Sequence, residues 1–308
     1  MTAAALTSTI LTFVAIVGVG ALLRAGKILR AEDARPINAL IIYVGLPAFI
    51  FTAVHGATLR EDLWGVVAIA WVVFITMALL GWTASRLLKL PREIAGGFII
   101  ATALGNTGYI GYPITAALLG DESLPEAIFY DVFGTVGALV LVGLLIAQHY
   151  GTNDEARVNP LRELATFPAV IALAVALLLR PFEIPIPVST GLGLLANMVA
   201  PLIMVSVGLS LRFRTLGRAA VPLVLLSVLR LLVAPAIALV VGTLLLGDAG
   251  GGMPLRVAVL EAGMPAMMLT LVVGERFGLD TDFIASAIFV TTAAAAVTLP
   301  LVQMLAFR

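Results

Sequence analysis

The chain has 308 residues, 61% of them hydrophobic and 12% charged, with zero net charge and no cysteine, and a mean hydropathy of +1.12. Soluble domains carry about 45–50% apolar and about 25% charged residues, so this is an integral membrane protein with no separate soluble domain. Zero net charge leaves no footprint for nucleic acid, and the missing cysteines exclude disulfides, thiolate metal sites and cysteine nucleophiles.

Residues 1–23 are apolar and the first charge is Arg24. A cleavable signal peptide carries positive charge ahead of its apolar core, so this stretch reads as the first membrane span. A span needs about 20 mostly apolar residues. Ten stretches qualify in chain order, near 4–23, 36–54, 63–85, 93–119, 126–148, 164–180, 189–211, 219–246, 254–274 and 283–305. Barrel strands would alternate over roughly 10 residues, and no such pattern recurs, so the expected fold is all-helical. The two histidines, His55 and His149, lie near segment ends and form no ligand cluster; no cofactor or metal is expected.

The connections alternate in charge. Arg24, Lys27, Arg30 and Arg35 follow span 1, and Arg86, Lys89 and Arg92 follow span 3. Arg157 and Arg162 follow span 5, Arg212, Arg214 and Arg218 follow span 7, and Arg276 follows span 9. The opposite side holds Arg60, Arg180, Arg256 and Arg308. Positive loops stay cytoplasmic, which places both termini outside.

Prolines recur at matching places in two halves. Pro47 in span 2 and Pro201 in span 7 are 154 residues apart, and Pro113 in span 4 and Pro265 in span 9 are 152 apart. Five spans is an odd number, so the second half enters the membrane from the opposite side. The expectation is an inverted repeat, 1–153 and 154–308, of the kind found in secondary transporters.

Span 4 reads "IAGGFIIATALGNTGYIGYPITAALLG". Pro113 removes a backbone donor and disfavours helix at Tyr112, while Gly105, Gly108 and Gly111 lower the cost of unwinding. Gly263 and Pro265 in span 9 repeat the pattern. Freed backbone groups cannot face lipid, so both breaks belong in protein or against a wet cavity. Half-helix N-termini there attract anions and C-terminal carbonyls attract cations. A simple kink with close packing is the alternative for either span alone.

"GNTGYIGYPI" after a basic loop, "VGLPAFIF" in span 2, "VSVGLSLR" in span 7 and the late proline of span 9 resemble the auxin efflux carrier family, the PIN-like permeases, over essentially the whole chain. The resemblance implies ten spans, with spans 1, 2, 6 and 7 as a scaffold and spans 3–5 and 8–10 as a moving transport domain. It also implies that helices 4 and 9 cross at the substrate site, a bile-acid/sodium symporter-like or NhaA-like arrangement. Asn106 matches the crossover asparagine, and Pro113 and Pro265 match the crossover prolines. The connection "HYGTNDEARVNPLRE" is short, as in bacterial members, which are linked to small organic anions such as malate or malonate. A bacterial inner-membrane location follows from that likeness.

Polar groups at membrane depth are site candidates. Arg230 lies near the midplane of span 8 and suits a carboxylate; the other reading is a permanent ion pair with Glu261 or Asp131. Glu261, four residues before Pro265, is the first candidate for coupling H⁺ or Na⁺. Asp131 is read as shallower, either a solvated vestibule residue or a second coupling carboxylate. Asn38 and Asn197 could contact substrate from the scaffold or bond between helices. Thr107 and Tyr112 belong to the break and could donate to a carboxylate. Met264, Met267 and Met268 read as adaptable packing.

The function expected is a secondary carrier of a small organic anion or auxin-like carboxylate, working by alternating access. The alternatives are a sodium-coupled organic anion symporter, or a channel or membrane sensor on the same fold. An enzyme is not expected: HExxH and GxSxG are absent, and Asp280, a conceivable partner for Asp131, falls in a charged connection. The expected partners are the anion and the lipid bilayer, and a homodimer stays open.

Overall fold

A computed structural model describes residues 3–59, 63–153, 159–210, 219–247 and 252–306. Among them the regular elements are helices. The first are α1 (Ala3–Ala25), α2 (Ala34–Leu40), a π-helical turn at Ile41–Gly45 and α3 (Leu46–His55). Next come α4 (Leu63–Leu87), α5 (Arg92–Ala103), a π-helical turn at Thr107–Gly111 and α6 (Tyr112–Leu119). The run from α7 (Leu124–Phe129) to α8 (Leu144–Tyr150) contains two π-helical stretches, Tyr130–Val136 and Leu139–Gly143. There follow α9 (Pro160–Ala165), α10 (Pro168–Leu179), α11 (Ile186–Asn197) and α12 (Val199–Ser210). α13 (Ala220–Val228), a π-helical turn at Leu229–Val233 and α14 (Ala234–Leu246) form the next run. α15 (Met253–Ala262), α16 (Leu269–Phe277) and α17 (Thr281–Ala306) complete the chain.

Six of these runs are long and apolar enough to cross a membrane: Ala34–His55, Leu63–Leu87, Asp121–Tyr150, Ile186–Leu209, Ala220–Leu246 and Thr281–Met304. Ala15–Ala25 and Pro168–Leu179 are shorter apolar helices. The stretches at 93–119 and 254–274 are not single rods, because each is interrupted in its middle. Of the basic residues in the charge pattern, Arg60, Arg157, Arg212, Arg214, Arg218 and Arg308 lie outside the described residues.

Proline explains several of the irregular turns. The five-residue π-helical turns at Ile41–Gly45, Thr107–Gly111 and Leu229–Val233 each end two residues before a proline, namely Pro47, Pro113 and Pro235. Proline cannot donate to the preceding turn and its ring crowds the carbonyl four residues back. Widening that turn relieves the clash without breaking the helix. Arg230 sits on one such turn, and Asp131 on the longer π-helical stretch Tyr130–Val136.

The helices pack in two sets. α1 lies on α12, where Gly20 and Gly208 let the backbones touch, and α3 packs on α10 and α11. α4 packs on α5, α14, α15 and the Tyr130–Val136 stretch, and α17 joins α5 and α13. One buried apolar cluster crosses from set to set, bringing Ile41, Leu46 and Ile50 against Tyr109, Tyr112 and Val132. The rings of Phe49 and Tyr112 stack there, 5.4 Å apart.

Candidate functional site

The two interruptions meet. α5 ends at Ala103 and the chain runs extended through Leu104; α15 ends at Ala262 and resumes as α16 at Leu269. Between them Gly105 and Ala266 form an antiparallel bridge. The Asn106 N–H donates to the Pro265 carbonyl at 2.7 Å, and the Met267 N–H donates to the Leu104 carbonyl at 3.0 Å. The Ala266 N–H is taken by the Thr291 hydroxyl of α17 at 3.1 Å. Backbone groups released by the breaks thus satisfy one another, as burial at membrane depth requires. Asn106 and Pro265 lie at the interruptions; Pro113 lies inside the helical run 107–119, and Tyr112, where the sequence disfavours helix, is helical.

Arg230 reaches the carbonyl ends of both broken helices. It is 2% exposed, and its guanidinium donates to the carbonyls of Thr102 (3.3 Å) and Ala103 (3.1 Å) on α5 and of Ala262 on α15. Helix C-termini carry a partial negative charge, so one cation neutralises two helix ends at once. Among the described residues no carboxylate lies within ion-pair distance of it, and the pairing with Glu261 or Asp131 is therefore replaced by carbonyl capping. Its Nε has no protein partner and faces a small cavity of about 10 Å³ shared with Gly105, Thr107 and Tyr130, enough for one water.

Each carboxylate is held by the broken helix of span 4. Thr107 donates to Asp131 Oδ1 at 2.5 Å and Tyr112 donates to Asp131 Oδ2 at 2.6 Å. Thr115 donates to Glu261 Oε1 at 2.8 Å, and Glu261 Oε2 has no partner. Asp131 is 4% exposed and Glu261 fully buried. The vestibule reading of Asp131 is corrected here: its helical run begins at Asp121 rather than near 126, so Asp131 lies deeper than counted.

The three glycines of "GNTGYIGYP" each make room for one charged side chain. A methyl at Gly105 would lie 3.3 Å from an Arg230 nitrogen, one at Gly108 2.9 Å from Asp131 Oδ2, and one at Gly111 would collide with the Glu261 carboxyl. Gly263 differs: its backbone is ordinary right-handed helix and a methyl there meets its neighbours at 3.4 Å or more.

A cavity of about 30 Å³, room for one or two waters, opens on the other face of the breaks. It is lined by Asn106, Tyr109, Tyr112, Asp131 and Met268, with Leu46 from α3. The helical run 107–119 and α16 both point their N-termini towards it. The amide nitrogen of Asn106 and the hydroxyl of Tyr109 are buried without partners. Donors and helix N-termini converging on one small cavity suit an anion. Asn38 and Asn197 stand apart: Asn38 accepts from Ser206 at 2.6 Å, and Asn197 is exposed at the end of α11. Tyr109, Thr115 and Thr291 were not picked out by sequence. Thr115 follows Gly111 by four residues, and that one-turn spacing on span 4 was the available signal.

Apolar helices able to cross a membrane, gathered around a buried polar break, make this a multi-pass membrane protein of the transporter class. The chain belongs to the membrane transport protein family, the auxin efflux carrier family, which matches residues 5–303. It is 35% identical over 302 residues to an uncharacterized transporter of Methanothermobacter thermautotrophicus, covering 96% of each chain. It is 32% identical over 292 residues to an uncharacterized transporter of Methanocaldococcus jannaschii, covering 92% of this chain and 93% of that one. A Rhizobium meliloti protein named "Putative malonate transporter" is 25% identical over 266 residues, covering 83% of this chain and 82% of its own. Family and relatives are transporters, not enzymes.

Proposed function

We propose that the protein is a secondary carrier for a small organic anion, with alternating access at a crossover of helices 4 and 9. The observation that carries this reading is the cavity where Asn106 and Tyr109 hold unpartnered donors beside two helix N-termini. The substrate's carboxylate accepts from these donors and from Thr107 or Tyr112, while Pro113 and Pro265 fix the breaks. Arg230 acts from the far side, cancelling the carbonyl ends so that the net field at the cavity favours an anion. The malonate name of the Rhizobium relative points to the same chemical class.

The architecture that fits is ten spans in two inverted halves, 1–153 and 154–308, with both termini outside the cytoplasm of a bacterial inner membrane. The antiparallel bridge between the interruptions supports it, since inverted halves bring their equivalent helices together running in opposite senses. The packing of α1 on α12 and of α3 on α10 and α11 supports a scaffold of spans 1, 2, 6 and 7. Movement of spans 3–5 and 8–10 against it opens the cavity to either side. A buried carboxylate, Glu261 or Asp131, carries the coupling ion, for which a proton is sufficient.

Uptake of labelled malonate into proteoliposomes, with counterflow, tests the reading. Saturable uptake accelerated by malonate inside the vesicles is expected. Unitary currents would move the assignment to a channel, and binding without flux would move it to a sensor.

A further inference from the structure

We infer that the Asp131 carboxylate occupies the acceptor position that a substrate carboxylate takes, and that it must take up a proton before the substrate can bind. The inference rests on the carrier reading above and names how its site is controlled. Asp131 lies against the backbone at Gly108, close to the N-terminus of the helical run 107–119, where a Cβ would come within 2.9 Å of Oδ2. Its oxygens take the hydroxyls of Thr107 and Tyr112. A carboxylate at a helix N-terminus, held by two hydroxyls from the interruption, has the surroundings expected of a bound ligand. In this chain a side chain supplies it.

The arrangement is half filled. Tyr112 is engaged by Asp131, while Asn106 Nδ2 and the Tyr109 hydroxyl on the same cavity are buried without partners. An incoming carboxylate satisfies those two donors but meets the Asp131 charge in a space of about 30 Å³. Two like charges cannot share so small and apolar a volume, so one must be neutralised. The groups around Asp131 leave it to accept the proton. From the span 4 break it faces Thr107, Tyr109 and Tyr112; on its own run Tyr130 adjoins it, with Arg230 beyond, held by three carbonyls. α4 presents Trp71, which donates to the Phe133 carbonyl, and α10 is apolar throughout. Glu261 of α15 lies behind Gly111 and Thr115 and does not line the cavity.

The exchange balances. A proton from bulk water adds to Asp131 Oδ2, the Tyr112 hydroxyl is released, and the substrate carboxylate accepts from Tyr112, Tyr109 and Asn106. On the other side of the membrane anion and proton leave together and the Tyr112–Asp131 bond re-forms. One proton crosses with each substrate anion.

Calorimetry of malonate binding to the purified full-length protein, in buffers of different ionisation enthalpy and at or above neutral pH, tests this. Wild type should take up about one proton per malonate, so that affinity falls about tenfold per pH unit. Asp131→Asn, a neutral mimic, should bind malonate with no proton uptake and no pH slope, whereas Glu261→Gln should keep both. Malonate binding to wild type without proton uptake overturns the inference and leaves the carrier reading intact; this arm needs no variant to fold. An unchanged pH slope in Asp131→Asn, or a slope abolished by Glu261→Gln, overturns it as well. Absence of any binding by malonate, succinate or acetate to wild type brings down the carrier reading and the inference together.

Discussion

Gly111 stands where the Glu261 carboxyl group needs space: a methyl on its Cα would overlap that carboxyl. The glycine therefore does two things in span 4. It permits the π-helical turn before Pro113 and lets a fully buried carboxyl lie flat against the helix, within reach of Thr115 at 2.8 Å. Overpacking a close-fitted interior costs about 1–3 kcal/mol, and Gly111→Ala is expected to fall in that range. Gly263→Ala, with ordinary contacts around the added methyl, should change the melting temperature little. Thermal unfolding of the two variants side by side in detergent checks the contrast; equal melting temperatures would refute it.

Arg230 is the group whose loss should be felt most widely. Replacing it with Met strips the carbonyls of Thr102, Ala103 and Ala262 of a charged donor, and an orphaned buried acceptor costs about 1–3 kcal/mol. Lysine keeps the charge but has a single nitrogen in place of a fork, and cannot serve two helix ends with the same geometry. The expected order of melting temperature is wild type, Arg230→Lys, Arg230→Met. A Lys variant as stable as wild type would show that charge alone suffices.

At the cavity, Asn106→Ala removes a donor that the proposed substrate uses. A hydrogen bond to a charged group contributes about 1.5–3 kcal/mol, so KM for malonate uptake should rise about ten- to a hundredfold. Pro113→Ala should lower the transport rate by letting the turn before it close into ordinary helix. Unchanged kinetics in both variants would remove the crossover from the mechanism.

The exposed ion pairs offer a contrast in magnitude. Arg35 pairs with Glu275 at 3.2 Å and Arg276 with Glu163 at 2.8 Å, all four side chains at least 36% exposed. Such pairs contribute about 0–1 kcal/mol. Glu163→Gln should accordingly leave thermal stability nearly unchanged, and a large loss would mean the contact does more than its exposure allows.

A screen of mono- and dicarboxylates by thermal shift addresses the substrate class. A ligand at 100 times its Kd stabilises the folded state by about 2.7 kcal/mol, a shift such a screen resolves. Stabilisation by dicarboxylates that is lost in Asn106→Ala is the expected result.

The apolar stretches, the two interruptions and their glycines and prolines were legible because each leaves a mark in the chain itself. Arg230's partners were not. Sequence reading pairs an arginine with acids, and the carbonyls of Thr102, Ala103 and Ala262 belong to residues whose side chains say nothing of the role. Asp131 was placed too shallow because its run starts at Asp121, in a polar stretch that hydropathy assigns to a connection. Tyr109 reads as one more aromatic until its hydroxyl is seen to be buried without a partner. Asn38 follows its interhelical reading, bonded to Ser206, since depth in a span alone does not bring a side chain to the cavity.

The Arg230 clamp and the Gly105–Ala266 bridge have a mechanical consequence. They tie the two interruptions into one stiff body, because displacing either alone would break charged hydrogen bonds inside an apolar medium. The motion proposed to open the cavity would then run along the seam where Leu46 and Ile50 meet Tyr109 and Tyr112. Contacts there are mostly apolar, and apolar contact is non-directional, so one set replaces another with little penalty along the way. In the proposed carrier the seam is therefore the bearing surface, and the break rides on it as cargo holder.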